Sequence, residues 1–225
     1  MPDIQIYLAL AVGAYLLGSI PFGYLVAKIK GIDIRTVGSG NIGATNAMRV
    51  LGKPAGIFVL LLDALKGYAA CVFLAPLIYN WISPHLSGFA PLFSSLPEIA
   101  RLKYETVTGI GAVLGHNYTC WLKFKGGKGI ATSAGVYIAL APWALLIAVA
   151  AFAVFLLATR YVSVGSIAAA IALVAAVWIM TPANLFLCIV TTLLGALAIY
   201  KHKGNIQRLI AGTENRFGQK KEATK

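Results

Sequence analysis

Long apolar runs alternate along the chain with short segments that hold most of the charged residues. The runs cover residues 4–27, 55–82, 104–122, 129–158, 162–181 and 184–200. They are continuous and do not alternate with polar positions, which is typical of membrane helices and not of the strands of a membrane barrel. Because backbone groups in hydrocarbon must be satisfied within the protein, the pattern predicts an all-α integral membrane protein.

The composition supports insertion into a membrane. Of the 225 residues, 59% are hydrophobic and 12% are charged, and the mean hydropathy is +0.81, far above that of a soluble globular domain. The three cysteines, Cys71, Cys120 and Cys188, lie in or at the ends of apolar runs. Their odd number and the lack of Cys-x-x-Cys spacing favour neither a disulfide framework nor a zinc site.

The Lys and Arg residues predict the orientation of the helices, because cytoplasmic loops of membrane proteins are enriched in both. Most of the 19 basic residues fall in the segments 28–53 and 123–128 and in the tail that begins at Lys201. If 129–158 were a single span, the tail would lie across the membrane from the other two basic segments. One apolar run must therefore contain a break.

Pro142 marks this break, because it lies mid-run and removes a helical hydrogen bond. The run is also about 30 residues long, whereas a crossing needs about 20. Two shorter helices, 129–141 and 143–159, give about seven crossings, with the N-terminus outside and the C-terminus in the cytoplasm. The first is short for a span, so we expect it to be packed or partly re-entrant. The connection 83–103 is predicted to lie along the outer interface.

A first polar cluster separates the first two apolar runs. It reads Gly38-Ser-Gly-Asn-Ile-Gly-Ala-Thr-Asn46 and is followed by Arg49. Glycines let successive N–H groups point at one spot, and an arginine fork suits phosphate or carboxylate. The alternative is a tight turn with an arginine on lipid headgroups, but the segment has more Asn and Ser than a turn needs. The residues predicted to bind an anion are Gly38, Ser39, Gly40, Asn41, Thr45, Asn46 and Arg49.

A second cluster, Lys123-Phe-Lys-Gly-Gly-Lys-Gly129, follows Gly115-His116-Asn117 and leads directly into an apolar run. The free N–H groups and the dipole of a helix start would then share one site with the ammonium of Lys128. Lipid headgroups account well for the first two lysines of this segment. They do not account for a lysine held between glycines, so we predict that Gly127 and Lys128 contact a substrate.

Two more polar clusters fall on the same predicted side. They are Arg160-Tyr-Val-Ser-Val-Gly-Ser166 and Lys201-His-Lys-Gly-Asn-Ile-Gln-Arg208. The former fits an interfacial anchor with serine caps as well as it fits a site. In the latter, His202 and Asn205 are three positions apart and would share a helix face. A lone basic stretch beside a membrane usually binds headgroups, but three other donor-rich clusters favour a role in a site.

Asp63 and Lys66 lie three positions apart inside the second apolar run. An intramembrane pair of charges is costly unless it is buried and mutually satisfied. The pair is therefore either functional or an internal ion pair that fixes helix packing, and we favour the structural role.

The four clusters are rich in donors and poor in bases. Apart from Asp33 and Glu214, no carboxylate accompanies them in the sequence, so we expect no metal site of oxygen ligands. The Gly-x-Ser-x-Gly elbow of serine hydrolases is also absent from the sequence. Such a site suits a substrate that is already activated and anionic, with positioning and charge stabilisation supplying the rate.

Several segments together resemble one known family. They are Gly18-Ser-Ile-Pro-Phe-Gly-Tyr24, Gly38 to Asn46 with Arg49, Gly115-His116 leading to Phe124 to Thr132, and His202 to Asn205. In this order and over nearly the whole chain, they are similar to the bacterial acyl-phosphate:glycerol-3-phosphate acyltransferases. The resemblance implies transfer of a fatty acyl group from acyl phosphate to the 1-hydroxyl of sn-glycerol 3-phosphate. The products would be lysophosphatidic acid and phosphate, in the first acylation step of bacterial phospholipid synthesis.

The resemblance also implies a seven-crossing fold in the bacterial inner membrane, with the site facing the cytoplasm. The residues implied to hold phosphate and act in catalysis are Ser39, Arg49 and Lys128. Those implied to contact glycerol 3-phosphate are His202, Asn205 and either Ser163 or Ser166. We expect the glycerol hydroxyl to attack the acyl phosphate directly, without an acyl-enzyme. A phosphate oxygen can take the proton, so no protein base is required.

Two other functions are compatible with the residues. A small phosphate or organophosphate carrier would use broken helices and basic residues, but it needs polar residues along a crossing path. An acyltransferase using acyl-CoA or acyl carrier protein would share the same site. The expected partners are glycerol 3-phosphate, long-chain acyl phosphate and membrane lipid, without nucleic acid, cofactor or metal ion. We expect one membrane-embedded domain over 1–225, with 219–225 as a disordered tail. The residues do not indicate an oligomeric state.

Overall fold

The computed structural model describes residues 2–87 and 91–218, and these residues form helices joined by short loops. The helices are α1 (Pro2–Ser19), α2 (Phe22–Ile29), α3 (Ala44–Leu51), α4 (Lys53–Ala69), α5 (Ala75–Ser87), α6 (Glu98–Asn117), α7 (Ile130–Leu140), α8 (Pro142–Thr159), α9 (Val162–Met180), α10 (Leu185–Lys201) and α11 (Lys203–Ile210). A π-helical turn, Ala70–Leu74, joins α4 to α5, and 3₁₀ turns occur at Phe93–Ser95 and Cys120–Leu122. The described residues, 2–87 and 91–218, contain no β-strand, which confirms the predicted all-α class.

Within the described residues, four helical stretches are long and apolar enough to cross a membrane. They are Ile4–Ile29, Lys53–Leu86, Pro142–Thr159 and Val162–Met180. Helices α10 and α11 make a fifth if they are taken as one span, although they are bent by 49°. Helix α6 is not among these stretches, although it has 20 residues, and α7 has only 11. The count of seven crossings and the orientation of the termini therefore stay predictions.

The predicted break at Pro142 is confirmed, because α7 ends at Leu140 and α8 begins at Pro142. Proline suits the first turn of a helix, where its missing N–H has no intrahelical partner anyway. The short α7 is packed tightly against α4. A Cβ added at Gly135 would come within 1.8 Å of the carbonyl oxygen of Ala64, so only glycine allows this approach. The expected short, packed helix is therefore present.

Two predicted boundaries are wrong. Helices extend into both ends of the predicted connection 83–103, because α5 continues through Pro84 to Ser87 and α6 already begins at Glu98. Pro97 precedes that helix start with a fixed φ and no N–H to satisfy. The run 104–122 also ends earlier, since α6 stops at Asn117 and the chain turns. Apolar composition continues past these ends and does not reveal them. The predicted tail, 219–225, lies outside the described residues.

Glycines bring α1 and α6 into backbone contact. A Cβ at Gly115 would come within 2.2 Å of the Tyr15 carbonyl oxygen, and one at Gly18 within 2.1 Å of the Ala112 carbonyl oxygen. Small residues at such positions let membrane helices approach closely. This packing fixes the C-terminal end of α6, at His116 and Asn117, on which the next loop lies.

Candidate active site

The N-terminal ends of three helices meet at a cavity of about 160 Å³. It is lined by Ser39, Asn41, Gly43, Ala44, Thr45, Asn46, Arg49, Leu60, Asp63, His116, Lys128, Gly129, Ile130, Ala131, Phe152, Val162, Ser163, Ser166, His202, Asn205, Arg208, Glu214 and Asn215. Among these, Ala44, Ile130 and Val162 are the first residues of α3, α7 and α9. The first N–H groups of a helix have no intrahelical partner, and its N-terminus carries a partial positive charge. Three such ends at one cavity favour an anionic ligand.

Asn46 holds the first loop in place. Its side-chain oxygen accepts a hydrogen bond from the Ser39 N–H at 2.9 Å, and its amide nitrogen donates to the carbonyls of Ile34 and Val37 at 3.3 and 3.1 Å. Gly38, at φ +67°, lies so close that a Cβ would come within 2.3 Å of that side-chain oxygen. Asn46 thus lines the cavity while its amide is used to shape the loop.

The prediction that the loop N–H groups point at a bound anion is wrong for Ser39, Gly40 and Gly43. The N–H of Ser39 donates to Asn46, that of Gly40 to the Val37 carbonyl, and that of Gly43 to the Asn41 side chain. Glycines at positive φ close turns here, so these N–H groups point into the loop. Gly38 and Gly40, predicted to bind, are not among the residues that line the cavity.

A hydrogen-bonded chain joins three of the four polar clusters. The Lys128 ammonium donates to Asn205 Oδ1, and Asn205 Nδ2 donates to Glu214 Oε1 at 2.6 Å. The same carboxylate accepts from Ser163 Oγ at 2.9 Å and from Arg208 Nε at 2.7 Å. Glu214 is therefore the centre of the network, and Lys128 is held at its edge.

The two candidate serines both line the cavity but have different partners. Ser166 Oγ donates to the carbonyl oxygen of Val162 at 2.9 Å, within its own helix, whereas Ser163 Oγ contacts Glu214. The alternative between them therefore stays open. His202 Nδ1 lies 2.8 Å from the Ala198 carbonyl oxygen, an acceptor, so this nitrogen carries the proton and Nε2 is left as an acceptor.

Positive charge is concentrated around this network. Burial lowers the pKa of Lys128 to about 8; the Glu214 carboxylate opposes this decrease, whereas Arg208 and Arg49 add to it. Burial likewise lowers the pKa of Arg49. Burial raises the pKa of Glu214, but the hydrogen bonds from Asn205, Arg208 and Ser163 outweigh it and the net shift is downward. The cationic side chains crowd one another, which a bound anion would relieve.

Several residues of the cavity are not identifiable from the sequence alone. Glu214 was noted as a carboxylate downstream of the clusters, but its distance along the chain gave no indication of its central place. Asp63 and His116 also line the cavity. In the sequence, the charge of Asp63 inside an apolar run is the feature that indicates a site there. Gly127, predicted to contact a substrate, instead lines a neighbouring cavity of about 330 Å³ that also includes Lys201.

The comparisons with known proteins agree over almost the whole chain. The family model described as glycerol-3-phosphate acyltransferase matches residues 8–212. A protein of that name from Geotalea daltonii is 47% identical over 210 residues, which cover 93% of this chain and 97% of the relative. Another from Aquifex aeolicus is 42% identical over 214 residues, covering 93% of this chain and 98% of the relative.

Two crystal structures share the fold. Both are of PlsY (YgiH), described as an integral membrane glycerol 3-phosphate acyltransferase. The glycerol 3-phosphate form has a TM-score of 0.79 and 40% identity, covering 94% of this chain and 96% of that one. The lysophosphatidic acid form has a TM-score of 0.76 and 39% identity, covering 94% and 95%. Like these proteins, the chain is an integral membrane protein, and it belongs to the glycerol-3-phosphate acyltransferase family.

Proposed function

We propose that this glycerol-3-phosphate acyltransferase takes its acyl group from a long-chain acyl phosphate. The 1-hydroxyl of sn-glycerol 3-phosphate attacks the acyl carbonyl, the bond from the carbonyl carbon to the phosphate oxygen breaks, and lysophosphatidic acid and phosphate are released. No acyl-enzyme forms. The observation that carries this proposal is the convergence of three helix N-termini with Arg49, Lys128 and Arg208 on one cavity.

Two phosphorylated reactants suit such a cavity, because each brings negative charge that helix ends and basic side chains stabilise. Arg49 and Lys128 are assigned to the phosphates together with Ser39, and the free N–H groups at the start of α3 add donors. His202, Asn205 and one of the two serines, Ser163 or Ser166, are assigned to glycerol 3-phosphate.

The leaving phosphate needs no general acid, because it is already a stable anion. One of its oxygens can accept the proton of the attacking hydroxyl, so the substrate supplies the base. The protein then acts by holding the two reactants and by stabilising charge on the carbonyl and phosphate oxygens. This division of work fits a cavity whose two carboxylates are both engaged, since Glu214 accepts hydrogen bonds from three donors and Asp63 is paired with Lys66.

The acyl chain requires an apolar path next to the phosphate site. Leu60 of α4 and Phe152 of α8 both line the cavity, and Leu60 is 44% exposed on the outer surface of the helices. A chain lying past these side chains would reach the lipid directly. We propose that the donor enters sideways from the inner leaflet of the bacterial cytoplasmic membrane, with seven crossings and the cavity facing the cytoplasm.

The donor is tested with the purified full-length protein in detergent. Glycerol 3-phosphate is mixed in turn with palmitoyl phosphate, palmitoyl-CoA and palmitoyl-acyl carrier protein, and lysophosphatidic acid and free phosphate are quantified. We expect product with the acyl phosphate only, with one phosphate released per lysophosphatidic acid. Turnover that is faster with either thioester would overturn the proposed donor. Binding of glycerol 3-phosphate without product from any donor would favour the carrier.

A further inference from the structure

A buried charged cluster borders the cavity, and none of its residues is assigned a contact with either reactant in the proposed reaction. Lys66 Nζ is 2.8 Å from Asp63 Oδ1, and both side chains are almost fully buried in α4. His116 Nδ1, at the end of α6, lies 3.4 Å from the same carboxylate oxygen. Lys66 also donates to the carbonyl of Ile20 at 2.9 Å. The predicted ion pair is thus present, and His116, which was not predicted to be near it, lies against its carboxylate.

The cost of burying these charges demands an explanation. A charged group inside a membrane protein is expensive and needs compensating partners. Fixing α4 against the neighbouring helices could be done by apolar side chains at lower cost. The position of the cluster is more specific, since Asp63 and His116 both line the cavity that Lys128 lines.

The ring of His116 supports the loop that carries Lys128. A Cβ added at Gly127 would come within 2.0 Å of His116 Nε2, so the glycine backbone lies directly against the far edge of the ring. The N–H of Gly127 also donates to the His116 carbonyl at 3.0 Å, and the N–H of Gly126 donates to the Asn117 carbonyl at 3.2 Å. The end of α6 is the surface on which the loop rests, and Lys128 is the next residue.

We propose that Asp63, Lys66 and His116 form a positioning device for the reaction. Lys66 holds the Asp63 carboxylate at the Nδ1 side of the imidazole, the opposite edge of the ring supports Gly127, and the loop thereby presents Lys128 to the phosphorylated reactants. His116 is a positioning residue that acts through Lys128. The inference rests on the proposed role of Lys128 on phosphate.

The test is a double-mutant cycle between His116 and Lys128. His116→Asn keeps a nitrogen near the Nδ1 position, beside Asp63, and removes the edge that supports Gly127. We expect kcat/KM to fall roughly 10²-fold, because a displacement of about 1 Å at a reacting group has this effect. In the Lys128→Ala background the same change should lower kcat/KM by less than about threefold, since the effects of residues that act as a unit are not additive. His116→Gln, whose amide reaches the Nε2 position, should recover part of the activity.

Tyr137→Phe is the control, because it removes a buried hydrogen bond of 2.7 Å to Thr191 in another part of the protein. It should leave kcat/KM unchanged. If the losses from His116→Asn and Lys128→Ala multiply in the double variant, His116 does not act through Lys128 and the proposal is overturned. If His116→Asn is as active as the wild type, it is overturned as well.

A second measurement does not depend on activity. The rate at which an acylating reagent modifies Lys128 is compared with that of exposed Lys123 in the same loop, by peptide mass spectrometry. We expect His116→Asn to change this ratio several-fold in folded protein. An unchanged ratio contradicts the positioning role. If the wild type makes no lysophosphatidic acid from any donor, the proposed function fails, and this ratio still decides whether His116 positions Lys128.

Discussion

Lys128 and Asn205 are 77 positions apart in the sequence, and the ammonium of the first donates a hydrogen bond to the side-chain oxygen of the second. This contact joins the glycine-rich loop before α7 to the start of α11. Asn205 in turn donates to Glu214, so a cation that faces the cavity is connected to its main carboxylate through one amide. The arrangement holds Lys128 without neutralising it by a direct ion pair.

The first prediction concerns the charge of Lys128. Lys128→Ala should lower kcat by about 10²- to 10³-fold with the fold intact, which is typical of losing one donor that stabilises developing charge. Lys123→Ala is the matched control, because Lys123 is exposed in the same loop and is assigned to headgroups. Turnover of lysophosphatidic acid measures both variants. Equal, small losses in the two would mean that Lys128 also meets only headgroups.

The second prediction is a pH dependence. Lys128 must be protonated to attract phosphate, and burial lowers its pKa to about 8. As the pH rises through about 8 the ammonium loses its proton, so kcat/KM, which reports the free enzyme, should fall. The second ionisation of a phosphate monoester near pH 6 sets the acid limb.

Lys128→Arg tests this assignment, because a guanidinium stays charged throughout the range. Whatever its absolute activity, the variant should lose the alkaline limb near pH 8. A limb that persists at the same pH would assign the ionisation to another group.

The pattern of apolar and polar residues was sufficient to predict the long apolar helices and the grouping of polar clusters, but not the short helix α3 or the ends of α5 and α6. Pro142 was identifiable because it breaks a run that is too long for one span. The roles within the site were less accessible. Ser39 and Asn46 both read as donors, but their geometry places the Asn46 amide on the loop backbone. Glu214 looked isolated, because only folding brings it to Ser163, 51 positions away. Local patterns report local geometry, whereas contacts at long separation depend on packing.

The third prediction distinguishes the strain of a positive φ angle from a steric collision that displaces the loop. Gly38 and Gly31 have similar positive φ angles of +67° and +73°, so alanine at either costs about 1–2 kcal/mol. A Cβ at Gly38 would also collide with Asn46 Oδ1, whereas one at Gly31 would meet nothing within 4 Å. Gly38→Ala should therefore lower kcat/KM roughly 10²-fold through displacement of Ser39. Gly31→Ala should keep wild-type kinetics with a slightly lower thermal midpoint; equal kinetics in the two variants would contradict this account.

The fourth prediction concerns the stability that Glu214 provides. The pKa of the Glu214 carboxyl in the folded protein is below its ordinary value of 4.5. Its stabilisation of the folded state is therefore present above about pH 4.5 and is lost as the pH falls through the lowered pKa. Hydrogen bonds to a charged group contribute about 1.5–3 kcal/mol. Glu214→Gln should lower the thermal midpoint at pH 7 by about 5 °C, since 1 kcal/mol corresponds to about 2–4 °C at this chain length.

Thermal unfolding in detergent, followed from pH 7 down to below 4.5, measures the difference between wild type and Glu214→Gln. The difference should shrink as the pH falls. Asp33→Asn is the control, because Asp33 forms an exposed pair with Arg35 at 2.6 Å, and exposed pairs contribute little. A difference that is independent of pH would show that the charge of Glu214 is not what stabilises the fold.

The last prediction tests whether the clusters meet on one side of the membrane. Single cysteines are introduced at the exposed positions Val37, Lys125 and Lys203, and at Lys103, in a Cys120→Ser background, because the other two native cysteines are buried. A membrane-impermeant maleimide should label the first three in inverted vesicles only. Cysteine at Lys103 should be labelled in intact cells, since Arg101 and Lys103 lie at the end of the connection 83–103, which is predicted to lie along the outer interface. Labelling of positions 37 and 125 from opposite sides would falsify the shared cavity, because loops separated by a bilayer cannot bind the same phosphate.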